Sequence, residues 1–196
     1  MVAGMQRAAG LIPLFGSFTR MAGAPIPHRL VWAVQALHVS PAEQILEIGC
    51  GNGAAVSLVC DRLTGGCITA IDRSATGIDR AIRRNTAHVM LGRAVFRCTD
   101  LAGFDHRGQP FDTVFAINVN LFWVGAADVE WHVVSRVLHR AGVLHLFYET
   151  PTETRARTVA ETVTAALTNH GFSPSATVSA SSRLVHITGR PGHHPP

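Results

Sequence analysis

The sequence predicts a doubly wound α/β domain organised on a mostly parallel sheet of seven strands, and three observations carry that reading. Apolar runs of strand length alternate five times with stretches of helical periodicity, and two further strand-like runs close the chain with no helix between them. The run Gln44-Ile45-Leu46-Glu47-Ile48, too short for a helix, passes straight into Gly49-Cys50-Gly51-Asn52-Gly53 and then into a helical segment. A strand, a glycine turn and a helix N-terminus in that order form a nucleotide site. The length, 196 residues, suits one domain with one core, and no internal repeat or low-complexity segment interrupts it.

Residues 1–26 mix Gly4, Gly10, Gly16, Gly23, Pro13 and Pro25 with Leu11, Ile12, Leu14, Phe15 and Phe18. Such a segment is too broken for one helix and too apolar to be freely solvated, so it is expected to cover the sheet as an arm or a bound substrate as a lid. The domain proper is expected over residues 27–190. Pro27 opens a helix to Leu37, with Leu30, Val31, Val34 and Leu37 on one face and His28 and Trp32 off it. Past the glycine turn, a helix is expected over Ala54–Leu63, a strand over Cys67–Asp72, a helix over Ala75–Met90 and a strand over Ala94–Thr99. Turn signals at Gly108 and Pro110 introduce a fourth strand, Phe111–Asn118. A helix over Ala127–Leu138 leads through the turn Arg140-Ala141-Gly142 to a fifth strand, Val143–Tyr148. The helix Thr152–Asn169 stops at Gly171, and strands near Ala176–Ser179 and Leu184–Thr188 form a closing hairpin. The tail, residues 191–196, reads as disordered, and its histidine pair lacks the further ligands of a metal site.

Glu47 stands out, because a carboxylate on an apolar buried strand is costly unless it meets a cation or several donors. Asp72 falls at the carboxyl end of the second strand, about twenty residues past the glycines, where an acid accepts both hydroxyls of an adenosine ribose. Capping the next helix is its alternative role, one that Ser74 can fill instead. Asn118 ends the fourth strand, on the edge where open α/β sheets bind ligands. Gly49, Gly51 and Ala54 also satisfy the G-x-G-x-x-G/A pattern of dinucleotide sites, although there the position of Glu47 is usually apolar. A plain tight turn is the remaining reading.

The pattern Glu47-x-Gly49-x-Gly51-x-Gly53 resembles the first motif of the class I S-adenosylmethionine-dependent methyltransferases, whose cofactor carries an ammonium group to answer Glu47. The resemblance covers about residues 41–190 and implies the sheet order 3-2-1-4-5-7-6. It also implies a cofactor site of Glu47, the turn residues Gly49, Cys50, Gly51 and Gly53, Asp72 on the ribose, and Arg73 packed on the adenine. Cys98-Thr99-Asp100-Leu101 is similar to the motif in which an acid, here Asp100, accepts from the adenine amino group while a backbone N–H, here that of Leu101, faces a ring nitrogen. Asn118 would then stand near the reacting methyl. Val119-Asn120-Leu121-Phe122-Trp123 replaces the Asp/Asn-Pro-Pro-Tyr/Phe sequence of enzymes that methylate nitrogens on nucleic acids and proteins, which argues against those substrates. Leu138-His139-Arg140-Ala141-Gly142 resembles the family's Leu-Lys-Pro-Gly-Gly turn with both middle positions changed.

The net charge is +4, and all 17 basic residues are arginine. Arg73, Arg80, Arg83, Arg84, Arg93 and Arg97 cluster, but no aromatics interleave with them, so a solvated helix face is expected rather than a nucleic-acid surface. Cys50, Cys60, Cys67 and Cys98 show neither zinc nor disulfide spacing, which points to free thiols and no metal. Neither a signal peptide nor a spanning segment is legible, so a cytoplasmic protein, monomer or homodimer, is expected. The expected activity is methyl transfer from S-adenosylmethionine to a small apolar or aromatic metabolite, with Phe122 and Trp123 as substrate wall or as core. Positioning alone can drive such a displacement, so no dedicated catalytic residue is required, although an oxygen nucleophile would want a base such as His28, Tyr148 or Glu149. An RNA or protein methyltransferase, an NAD(P)-binding oxidoreductase and a non-catalytic partner of the same fold are the alternatives.

Overall fold

β1 (Gln44–Ile48) is an interior strand of the computed structural model, which describes residues 26–106, 108, 110–125, 127–179 and 183–192. It pairs in parallel with β2 (Cys67–Asp72) on one side and β4 (Phe111–Ile117) on the other. β3 (Ala94–Cys98) extends the sheet beyond β2, and β5 (Leu138–Glu149) extends it beyond β4, both in parallel. β7 (Leu184–Pro191) runs antiparallel to β5, and β6 (Phe172–Val178) closes the edge beside it. The seven-stranded order is β3-β2-β1-β4-β5-β7-β6, the one expected.

Two apolar layers flank the sheet because alternate residues of its strands point to opposite faces. Ile45, Ile68, Phe115 and Phe147 pack with α1 (His28–Ala36) and α2 (Ala54–Cys60). Leu46, Val114, Leu144 and Ile187 pack with α5 (Asp128–Val137) and α6 (Glu153–Asn169), where Trp131, Val134, Val163 and Leu167 are buried. Trp32, off the expected face of α1, sets its ring edge-on to Phe147 at 5.4 Å between centroids.

Three elements depart from the expectation, the first being β6, which starts at Phe172 rather than near Ala176 because its first residues pair with the far end of β7. The helix over Ala75–Met90 is broken into α3 (Ala75–Arg84) and α4 (Thr86–Met90). The buried Asn85 amide donates to Gly53 O and to Ala81 O, each at 2.9 Å, and so bends the helix onto the glycine turn. The turn expected at Arg140-Ala141-Gly142 is part of β5, where the step Phe111 to Thr113 is matched by the longer step Leu138 to Val143, a bulge that takes up the extra residues. The arm over residues 1–26 lies outside the described residues apart from Ile26, as do residues 193–196 of the tail; Pro191 pairs with Phe172 in the sheet. All four cysteines are free. Among the described residues no helix is long and apolar enough to cross a membrane.

His145 on β5 and His186 on β7 are stacked, with His145 Nδ1 3.0 Å from His186 Nε2. Burial, followed by the charges of His186, Arg190 and His38, pushes His145 from 6.5 down to about 3, and burial with His38 pushes His186 down to about 4. Each imidazole thus binds a proton more readily in the unfolded chain, so its stabilising effect is present above pH 6.5 and is lost as pH falls toward these folded values. Thermal melts should therefore show Tm falling as pH is lowered from about 6.5 to about 4, and the double variant His145→Gln/His186→Gln should flatten that decline.

Candidate functional site

The carboxyl ends of β1, β2, β3 and β4 open on one cavity of about 700 Å³, within the usual range of small-molecule pockets. Gly49, Asp72, Arg73, Asp100, Leu101 and Asn118 line it. Glu47, Cys50, Gly51 and Gly53 do not reach its wall; they form the strand and turn behind it. The sheet thus gathers the sequence-selected residues at one edge, in two ranks.

The turn is held from three sides. Gly49 N–H and Cys50 N–H donate to Ile71 O at 2.8 and 3.0 Å. Gly51 N–H donates to Asp72 Oδ2 at 2.8 Å, while Asp72 Oδ1 accepts the Ser74 N–H at 2.8 Å. Asn85 holds Gly53 O. Gly49, Gly51 and Gly53 have φ of 72°, 55° and 71°, a region that favours glycine. Ser74, not Asp72, caps α3, its Oγ accepting the Gly77 N–H at 3.1 Å.

Glu47 is buried, and its Oε2 has no hydrogen-bond partner among the described residues. Burial and the neighbouring Asp72 charge push its carboxyl from 4.5 up to about 8. Asp100 Oδ1 accepts the Gly103 N–H at 2.8 Å, so this acid shapes its own loop while it lines the cavity. Asn118 takes a φ of 55°, uncommon outside glycine. Its N–H donates to Phe147 O at 2.8 Å and its Oδ1 accepts the Glu149 N–H at 2.7 Å, which stitches β4 to β5 at the cavity rim.

The three candidate bases lie in different surroundings. Burial raises the Tyr148 phenol above its ordinary value and keeps it neutral, Glu149 lies 3.5 Å from Arg29, and His28 is exposed on α1. Phe122 is core, packed on Trp131 at 4.7 Å. Sequence reasoning missed the role of Asn85, whose signal was a polar residue on the buried stripe of an apparently continuous helix. It also missed Thr99, Val124 and Glu130 in the wall, since wall-lining by such residues depends on three-dimensional proximity alone.

A profile described as a methyltransferase domain matches residues 45–142, half of the chain. The chain belongs to the class I S-adenosylmethionine-dependent methyltransferases. Solved structures share the fold of this methyltransferase domain. DhpI in its SAH complex is 21% identical with a TM-score of 0.65, the match covering 83% of each chain. A TehB-like SAM-dependent methyltransferase from Corynebacterium glutamicum is 16% identical with a TM-score of 0.63, covering 83% of this chain and 87% of that one. The cyclase SpnF is 17% identical with a TM-score of 0.67, covering 84% of this chain and 81% of that one. No curated protein matches the sequence.

The methyltransferase cofactor is S-adenosylmethionine, and the residues present fit it. A buried carboxyl with an unanswered Oε2 stands behind the turn, Asp72, Asp100 and Glu130 line the cavity, and a Cβ built on Gly51 would meet no atom within 4 Å, so the turn leaves open space in front of it. The other glycines are packed: a Cβ on Gly53 would come within 2.6 Å of Asn85 Nδ2 and 2.8 Å of Ala81 Cβ. Gly51→Ala should therefore cost only backbone strain, about 1–2 kcal/mol, whereas Gly53→Ala adds overpacking of a further ~1–3 kcal/mol, so calorimetric melts should rank Gly53→Ala well below Gly51→Ala in Tm.

Proposed function

We propose that this methyltransferase moves a methyl group to a small apolar or aromatic metabolite, and that the observation carrying this reading is the cavity at the carboxyl ends of the parallel strands, with Asp72 and Asp100 toward β2 and β3, Val119, Leu121 and Val124 toward β4, and Glu130 of α5 as the acid on that side. In this reading Asp72 takes the ribose hydroxyls through lone pairs not used by Gly51 and Ser74, Arg73 flanks the adenine, and Asp100 with the Leu101 N–H reads the adenine edge. Glu47 and the turn Gly49, Cys50, Gly51 and Gly53 face the methionine end, and Asn118 stands near the reacting methyl. When bound, the cofactor supplies an electrophilic methyl on a sulfonium, which an acceptor lone pair attacks as the S–C bond breaks and its electron pair remains on sulfur. The chain's own contribution is alignment and exclusion of water, with in-line positioning worth up to about 7–11 kcal/mol, and no base is assigned. The apolar wall favours a small acceptor over RNA or peptide, and labelled methyl groups supplied with cell extract should enter small molecules; label confined to RNA or protein would overturn this substrate class.

Titration calorimetry should detect S-adenosylhomocysteine binding at micromolar affinity or tighter and none of NAD or NADP. Glu47 adds a pH signature. Its carboxyl, raised to about 8, is protonated at neutral pH in the empty site, and an arriving ammonium favours the ionised form. Binding at pH 7 should thus release close to one proton, measured from the dependence of the heat on buffer ionisation enthalpy, and affinity should weaken as pH falls below about 8. Glu47→Gln should abolish the proton release.

Asp72 couples cofactor to fold. Asp72→Ala should weaken homocysteine nucleoside binding by about 1.5–3 kcal/mol through lost charge-assisted hydrogen bonds. Because the same carboxylate holds the Gly51 and Ser74 N–H groups, Tm should fall as well; an unchanged Tm would mean that those two bonds contribute nothing to stability.

A further inference from the structure

A second cavity of about 300 Å³ adjoins the first, and Asn118 and Asn120 line both. Its other wall residues include Trp123, Tyr148 and Glu149 at the end of β5, and Arg155 in the first turn of α6. The size is at the lower end of the range for small-molecule pockets, which suits a compact ligand.

The polar groups of this wall are unevenly matched. The Tyr148 hydroxyl and the Trp123 indole N–H are shielded from water and have no hydrogen-bond partner among the described residues. Each belongs to a residue with open cavity beside it, so an acceptor atom of a ligand is the partner within reach of a small side-chain adjustment. The Arg155 guanidinium lies over the Trp123 ring, 4.4 Å from its centroid, and it has no ion pair among the described residues. Its charge rests on an aromatic face and leaves its N–H fork available. Asn118 spends its Oδ1 on the Glu149 N–H, which leaves its NH₂ end for a ligand. The acid of this wall, Glu149, is already matched to Arg29 at 3.5 Å. The cavity therefore offers a cation and several donors, and its acid is balanced from outside.

We propose that this second cavity seats the methyl acceptor and selects a small acceptor bearing a carboxylate, held by Arg155, the Tyr148 hydroxyl and the Trp123 indole N–H. This rests on the methyl-transfer reading above and names the acceptor class for it. A planar carboxylate matches the guanidinium fork with two parallel hydrogen bonds and still has lone pairs for the phenol and the indole. A wholly apolar acceptor would leave the Tyr148 hydroxyl and the Trp123 indole N–H unmet. The shared residues Asn118 and Asn120 connect the anchored molecule with the cofactor cavity, so the carboxylate acts as the handle of an otherwise apolar body.

The test uses the full chain saturated with S-adenosylhomocysteine, titrated with benzoate, phenylacetate and hexanoate and with their primary amides. At least one acid should bind about tenfold or more tighter than its amide. Arg155→Met should erase that preference, Arg155→Lys should keep part of it, and Tyr148→Phe should reduce it about threefold or more, all with homocysteine nucleoside affinity unchanged. Arg155 is exposed and Tyr148→Phe is nearly isosteric, so folding is retained. Equal binding of acid and amide, a preference that survives Arg155→Met, or no acid binding at all would overturn the proposal. Failure of the wild-type chain to bind S-adenosylhomocysteine in the first titration would instead overturn the cofactor reading beneath it.

Discussion

The Asp72 carboxylate accepts the Gly51 N–H with one oxygen and the Ser74 N–H with the other, both at 2.8 Å, and the shape of the cofactor cavity follows from those two bonds. They fasten the turn after β1 to the exit of β2, where Ile71 O already holds Gly49 and Cys50. Asn85 secures the far end of the turn by holding Gly53 O. A turn with three residues at positive φ has little preference for one arrangement by itself, so these external bonds select it. The same carboxylate lines the cavity, so the ordering of the turn and the shape of the cavity wall share one group.

The site is acidic in a chain whose net charge is +4. Glu47, Asp72 and Asp100 gather at one edge of the sheet, and Glu47 sits where burial and the Asp72 charge both oppose its ionisation. Such an arrangement is costly in isolation and becomes favourable with a cationic ligand, because an ammonium relieves desolvation and repulsion together. Under the proposed cofactor assignment the buried carboxyl would favour a methionine-derived ammonium over a purely phosphate-bearing nucleotide, which would bring further negative charge to the same place.

Fold alone does not name the reaction, since a cyclase shares this architecture at a TM-score of 0.67. The second cavity lies at the end of β5 and the start of α6, away from the glycine turn. There Trp123, Tyr148 and Arg155 bring polar atoms to the edge of an apolar layer, with the two donors of Trp123 and Tyr148 left unsatisfied. Stability would favour apolar replacements at such positions, so their presence is best explained by what they meet.

The sheet order, the glycine turn and the acids at the ends of β2 and β3 were legible from residue order, because strand period, positive-φ glycines and strand-end acids are local signals. Glu47 was legible as an anomaly for the same reason: one charge in a buried apolar run is visible without coordinates. The break at Asn85 was not, since Ala75–Met90 has continuous helical periodicity and only contact with Gly53 O makes the bend favourable. The bulge that absorbs Arg140-Ala141-Gly142 into β5 was equally hidden, because it depends on pairing with Phe111 and Thr113 across the sheet. The second cavity joins Asn118 and Trp123 with Tyr148 and Arg155, segments separated in sequence that the β4–β5 pairing and the packing of α6 bring together. By itself the sequence determined the scaffold and the turn and acids at the carboxyl ends of β1, β2 and β3, which are written in short-range patterns. Tertiary structure decided the second cavity, because unmet donors and shared walls exist only once distant segments have been packed against one another.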